Sequence, residues 1–274
     1  MTTTRSIAFI GAGNMTQSIV GGMVAGGYSA DQILVSNPSV GKLEQLAQRL
    51  QVQTSTDNAK VASAADVIVL AVKPQLMQQV CADLKATVTG LADKLIVTIA
   101  AGIRFEKYHQ YLGADVKVLR VMPNTPSLVG AGVSGLVAEP SVSQADRDFI
   151  EQAFASVGLT QWVQDEDELD ILGAVAGSGP AYFFEFMASL QAAAEALGYD
   201  RDKARAIVQQ TALGAATMAQ QSSLELAELR AQVTSKGGST AKGVEVYQQA
   251  DIEDISARAV KAAVLRNQEM AKLF

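Results

Sequence analysis

Apolar residues in the first half of the chain come as short unbroken runs: residues 6–10 (SIAFI), 33–35, 66–72 (DVIVLAV), 95–99 (LIVTI) and 116–121. Runs of this length between turn residues predict strands buried on both faces, and helix-like segments separate most of them. Strands alternating with helices predict a parallel, doubly wound sheet. After about Gln161 the strand signals stop, and long alanine-rich amphipathic stretches take over at residues 181–197, 202–221 and 255–273. This half reads as a helical bundle. Gly198 and Asp200 serve as stop and start between its first two helices, and Ser222 or Ser223 is placed to cap a shorter helix over residues 225–232.

The helical half is short of aromatics, so its helices pack closely and leave an apolar face uncovered. A second copy of the chain would bury that face; the alternative is that it packs on the sheet of its own chain.

Composition narrows the class. With 49% hydrophobic and 18% charged residues the chain has ample material for a core. Its 22 basic and 28 acidic residues, a net charge of −6, argue against nucleic acid as a partner. Before Thr160 the chain carries 12 basic and 12 acidic residues, and after it 10 and 16, so the whole surplus lies in the helical half. Asp165, Glu166, Asp167, Glu168 and Asp170 cluster at the join and read as a solvated helix start. A single cysteine forms no internal disulfide, and the opening residues lead into the first run without a signal-peptide pattern, so a cytoplasmic home is expected. Gly and Pro interrupt the most apolar region, residues 177–184, and no membrane span is expected.

The inventory also removes chemistry. His109 and Cys81 are the sole members of their kinds, so no zinc site of the His/Cys type can be assembled and no metal is expected. Cys81 reads as a small core hydrophobe, and His109 as a helix-end cap or an exposed side chain. A chain without histidine to shuttle protons suits a reaction whose hard step belongs to a cofactor.

One candidate site follows the first strand. Gly11, Ala12, Gly13, Asn14, Met15 and Thr16 form the turn into the first helix, where glycines let the backbone approach a pyrophosphate at a positive helix end. Thr16 replaces the third glycine of the usual fingerprint and is expected to hold helix and strand slightly farther apart. After the second run the chain reads Ser36, Asn37, Pro38, Ser39, with Lys42 one turn on. No acid stands where it would bind a ribose 2′-hydroxyl, so NADPH is favoured and NADH remains possible. Asn37 and Pro38 can equally be a turn that ends the strand. Ala71, Val72, Lys73 and Pro74 leave a strand at the ligand-binding edge, with Lys73 facing either cofactor or solvent. Ile99, Ala100 and Ala101, followed by Gly102, leave room for a flat nicotinamide or merely form a tight turn. The fold class expected is α/β: an N-terminal Rossmann-like domain over residues 1–160 and a C-terminal all-α domain over residues 161–274.

These landmarks resemble pyrroline-5-carboxylate reductases over nearly the full length. The residues that carry the resemblance are Ile10 to Met15, Ala71 to Pro74, the MPNTP of Met122 to Pro126, the GSGPAY of Gly177 to Tyr182, and the VTSKGGST of Val233 to Thr240. The first two recur in many dehydrogenases; the last three, in this order, are far more particular. The resemblance implies reduction of the cyclic imine 1-pyrroline-5-carboxylate to L-proline by NADPH or NADH. It also implies a helical domain that interlocks with a partner in a homodimer, its active site lying between the cofactor of one chain and the helices of the other, with dimers assembling into rings up to a decamer. It places Ser36 and Asn37 at the adenosine ribose, Asn58 at the adenosine end, and Ile10, Gly11, Ala12, Gly13, Asn14, Met15, Ala71, Val72, Lys73, Pro74, Ile99, Ala100 and Ala101 along the cofactor. Ser235, Gly237, Gly238, Ser239 and Thr240 would hold the substrate, with Thr240 on the ring nitrogen as the catalytic residue. Lys236 stands where the family usually has proline.

The loop also makes sense without the family. Two glycines let backbone N–H groups converge on an anion, and a helix starting near Thr240 adds a positive end; the plain alternative is a glycine-rich turn with a Ser or Thr cap. A protonated imine accepts hydride without a strong protein acid when the atoms are held about 3–3.5 Å apart. Two rival functions stay open. One is a related imine or β-hydroxy acid reductase, although the hydroxy-acid branch needs a lysine on the first long helix and none lies between Lys117 and Lys203. The other is a non-catalytic NADPH-binding sensor.

Overall fold

A computed structural model of the chain describes residues 5–272. The opening residues 1–4, and Leu273 at the end of the last expected helix, lie outside the described residues. Two compact units emerge: one runs to Ser178 and takes in the C-terminal segment from Ala263, and the other is Gly179–Ala262.

The first unit begins with β1 (Ile7–Ile10), α1 (Asn14–Ala25), β2 (Ile33–Ser36), α2 (Val40–Leu50), β3 (Gln53–Ser55) and α3 (Asn58–Ser63). It continues with β4 (Val67–Leu70), α4 (Pro74–Thr87), β5 (Leu95–Thr98), α5 (Phe105–Leu112) and β6 (Lys117–Pro123). Then come β7 (Gly132–Ala138), α6 (Gln144–Ala155), β8 (Gly158–Trp162) and α7 (Glu166–Leu172). The eight strands make one sheet in the order β3-β2-β1-β4-β5-β6-β7-β8. The expectation of a wholly parallel sheet needs one correction: β6 and β7 pair antiparallel. Only the short turn Thr125–Val129 lies between them, too little chain for the crossover that parallel neighbours require.

Alternation along the strands sends side chains to two separate cores. Ile7 and Phe9 of β1 and Val67 and Val69 of β4 face Ile19 of α1, Leu46 of α2 and Phe154 of α6. Ala8, Ile10, Ile68 and Leu70 face Val61 of α3, Met77 and Cys81 of α4 and Tyr108 of α5. Every residue of β1, β2, β4 and β5 is buried, as helices on both faces demand.

Gly177 and Pro180, which interrupt the apolar run in the sequence, do not end the helix beyond α7. A π turn over Gly173–Gly177, with Ser178 N donating to Gly173 O at 3.1 Å, carries the chain straight into α8 (Gly179–Ala196). Within the 31-residue run Glu166–Ala196 an 18-residue window reaches a mean hydropathy of 1.2, long and apolar enough by length and composition to cross a membrane.

The second unit holds α8, α9 (Arg201–Gln221), α10 (Leu226–Gln232), α11 (Ser239–Gln249) and the start of α12 (Ile252–Ala271). Asp200 caps α9 by accepting from Lys203 N at 3.1 Å, after Gly198 has ended α8 in a left-handed conformation. Neither serine caps α10. Glu225 and Glu228 form a reciprocal capping box that satisfies two free N–H groups at once, and Ser222 instead accepts from Leu224 N. Among the described residues of this unit only Gly179 and Ala204 are buried, while Phe183 is 72% exposed and Phe184 64%. These helices have no interior of their own.

Candidate active site

The sheet order reverses between β1 and β4, the point at which open α/β sheets form a ligand crevice. Register brings four strand ends together there: Ile10 lies beside Ser36 and Leu70, and Leu70 beside Thr98. Every loop expected to touch the cofactor therefore leaves the same edge. Gly11 N donates to Ser36 O at 2.8 Å, Ala71 N to Ile10 O at 2.9 Å and Ile99 N to Leu70 O at 3.2 Å.

Gly11 sits at φ +112°, and a Cβ there would come within 2.6 Å of the Ala71 carbonyl oxygen. Gly13 is the N-cap of α1; it provides no side-chain cap, no acid stands in the first turn, and nothing lies within 4 Å of where its Cβ would be. The first N–H groups of α1 thus have neither a side-chain cap nor an acid of their own first turn beside them. Thr16 is buried, and its Oγ1 donates to Gly11 O at 2.8 Å, locking the turn from beneath.

Ser36 is fully buried and donates to Asn58 Oδ1 at 2.7 Å, so the two residues expected at the adenosine end are joined. Asn37 Oδ1 accepts from Ala12 N at 3.2 Å and its amide donates to Ser39 O at 3.3 Å, which ties the glycine turn to the end of β2. Asp57, directly before Asn58, caps α3 through Ala59 N and Lys60 N. Lys42 is exposed in the first turn of α2, whose N-cap Ser39 makes no side-chain cap bond. Lys73 is exposed at the N-cap of α4 and Pro74 opens that helix. Ala100 is buried against Thr98, and Ile99 and Ala101 are half-buried.

The loop expected to take the substrate lies in the other unit. Gly237 adopts φ +74°, Gly238 N donates to Ser235 O at 3.0 Å, and Gly238 is the N-cap of α11 with no side-chain cap and no acid in the first turn. The alternative of a Ser or Thr cap is thereby set aside: Ser239 and Thr240 stand inside the first turn. Thr240 and Lys236 are exposed.

Several features went unread in the sequence. Arg120, on β6, is 1% exposed and pairs with Glu166, which also accepts from Phe105 N at 3.0 Å. Arg104 reaches Asp167 at 2.5 Å and the buried Asp170 at 3.0 Å. Three members of the acid cluster thus neutralise cations and do not form a plain solvated helix start. Cys81 is buried as expected, and burial pushes its thiol up to about 12, which leaves it inert. His109 is neither a simple cap nor free, because Nε2 pairs with Glu139.

That hydrogen bond raises the His109 pKa above its ordinary 6.5. A raised folded pKa contributes stability fully present below the unfolded value and lost as pH rises through the folded one. Against His109→Asn, the parent should melt about 1–3 °C higher below pH 6, and the gap should close as the pH passes from 6.5 to mildly alkaline values. A pH-independent gap in thermal scans would assign the effect to packing.

Comparison with known proteins agrees with both halves. A family model described as pyrroline-5-carboxylate reductase dimerisation matches residues 166–270, and one described as NADP oxidoreductase, coenzyme F420-dependent, matches residues 6–102. The chain is 45% identical to pyrroline-5-carboxylate reductase of Vibrio alginolyticus, over 98% of this chain and 99% of that one. Among solved structures it is similar to a pyrroline-5-carboxylate reductase from Coxiella burnetii, with TM-score 0.94 and 39% identity over 98% of this chain and 99% of that one. It is also similar to the Plasmodium falciparum pyrroline carboxylate reductase with NADP bound, with TM-score 0.84 and 28% identity over 98% of each.

Proposed function

We propose, from the premise that this chain belongs to the pyrroline-5-carboxylate reductase family, that it reduces 1-pyrroline-5-carboxylate to L-proline with NADPH, the last step of proline biosynthesis. The observation that carries the reading is the convergence of the Gly11 turn, Asn37 and the Ala71 loop on one sheet edge, over an uncapped helix start. The cradle fits a dinucleotide, because a Cβ on Gly11 would fill it and the N–H groups of α1 have no acid to answer them. Neutral groups at the end of β2 and Lys42 in the first turn of α2 suit a 2′-phosphate, so NADPH is preferred to NADH. Residues 1–160 hold the cofactor, and residues 161–274 the substrate and a second copy.

Bound NADPH supplies the hydride. The chain's own part is placement. N–H groups of Gly237 and Gly238 bind the substrate carboxylate at the start of α11, and Thr240 Oγ1 accepts a hydrogen bond from the iminium N–H, fixing the ring face presented. Since the iminium is already electrophilic, no histidine is required.

The apolar face of Glu166–Ala196 packs on a partner copy and not in lipid. The partnership is a homodimer that assembles further into rings, up to a decamer, in the cytoplasm, without nucleic acid. Steady-state reduction followed by NADPH absorbance tests the assignment. Thr240→Ala should lower kcat about tenfold to a hundredfold while the NADPH Kd stays within about twofold. Parental turnover in that variant would remove Thr240 from the mechanism.

A further inference from the structure

We propose that Asn124 is a positioning residue for imine reduction: its amide holds the helix at the point where the chain crosses from the cofactor unit into the second unit. The inference rests on the reading of Ser235 to Thr240 as the substrate nest. Residue 180 is a proline and has no N–H, so the carbonyl four residues back, on Ala176, has no ordinary helical partner. The helix continues past this point through the π turn Gly173–Gly177. The carbonyl left over is taken by Asn124, whose Nδ2 donates to Ala176 O at 2.8 Å. The other end of the same amide, Oδ1, accepts from Val133 N of β7 at 2.8 Å. Asn124 is 7% exposed and sits directly after β6, so one buried side chain bolts the interrupted helix to the sheet.

The chain passes between the two units at two places, after Ser178 and after Ala262. The outgoing helix carries the Asn124 bolt. On the returning helix, α12, Asn267 Nδ2 donates to Asp170 O of α7 at 3.2 Å. The substrate nest lies on the stretch of chain between these crossings. Isolated π turns concentrate at functional positions, and beside this one a proline frees a carbonyl that an asparagine claims. Loosening the bolt leaves every group of the glycine turn and of the nest in place. What changes is how firmly the nest is held while hydride moves, which touches kcat and not cofactor affinity.

The experiment compares steady-state imine reduction, NADPH binding and melting in the parent, Asn124→Ala, Pro180→Ala and the double variant. Asn124→Ala should lose about tenfold in kcat, with the NADPH Kd within about twofold of the parent. Pro180→Ala restores an N–H four residues after Ala176, so the double variant should recover to within about threefold of Pro180→Ala alone. Two results overturn the proposal: a lowered melting temperature in Asn124→Ala with kcat unmoved, or a double variant no more active than Asn124→Ala. Should Asn124→Ala be insoluble, the same coupling requires a soluble and active double variant, and an insoluble double overturns it as well. Thr240→Ala, measured alongside, keeps the two readings apart. Loss of turnover there with parental kcat in Asn124→Ala removes the bolt alone, whereas parental turnover in Thr240→Ala removes the nest.

Discussion

Gly11→Ala is expected to weaken NADPH binding at least about a hundredfold and to cost the fold about 2–4 kcal/mol. Two independent obstacles add. The residue lies at φ +112°, where a side chain is strained whatever the space, and its methyl would stand 2.6 Å from the Ala71 oxygen and 3.0 Å from the Ala71 carbonyl carbon. Both are backbone atoms and have no rotamer into which to retreat. Relief requires parting the ends of β1 and β4, whose loops leave the same edge of the sheet. Gly13→Ala is the control, because its backbone is ordinary and nothing lies within 4 Å of the new methyl. It should leave melting unchanged. Titration of NADPH by fluorescence reads both variants, and a Gly11→Ala protein that binds within fivefold of the parent would show that the turn does not form the cradle.

Glu166→Ala should be the most damaging change away from the cofactor. Arg120 is buried in the sheet, Glu166 is its one ion-pair partner among the described residues, and the guanidinium Nε already has no partner. Truncating the carboxylate leaves a charge stranded in low dielectric, at a cost of about 3–5 kcal/mol. The same change frees Phe105 N, which Glu166 also holds. Replacing both members of the pair, Arg120→Met with Glu166→Leu, should restore most of the loss, because the expense is the unpaired charge and not the absence of a bridge. Urea unfolding at neutral pH measures all three proteins. A single variant within about 1 kcal/mol of the parent would mean that water reaches Arg120.

The sequence made the heart of the sheet readable because β1, β2, β4 and β5 are buried on both faces and appear as continuous apolar runs. It hid β3, a three-residue edge strand of Gln, Thr and Ser, and β7, whose run is broken by Gly132 and Gly135. In β8 burial alternates between partial and none, which leaves no clean apolar signature. Strand direction at β7 was legible in principle from the brevity of residues 124–131. The Arg120 pair was legible too: a cation inside the run 116–121 requires an anion, and the only dense supply lies at residues 165–170. Gly177 and Pro180 interrupt the apolar run without ending the helix, and the carbonyl left without a helical partner by Pro180 accepts from Asn124. At the site, the glycine turn after β1 was readable from its place between a strand and a helix, whereas spacing alone left the loop before α11 open between an anion nest and a plain glycine-rich turn. The joining of Ser36 to Asn58 was not readable, because side-chain partners on a strand and a helix 22 residues apart leave no local trace.

The bareness of the second unit changes how substitutions there should be weighed. In the proposed homodimer each position of the shared face occurs twice, so a replacement that weakens it by about 1 kcal/mol per copy weakens the pair by about 2 kcal/mol, roughly thirtyfold in association. Under that proposal, drift across the exposed faces of α8 and α9 is punished, or rewarded, in doubled steps.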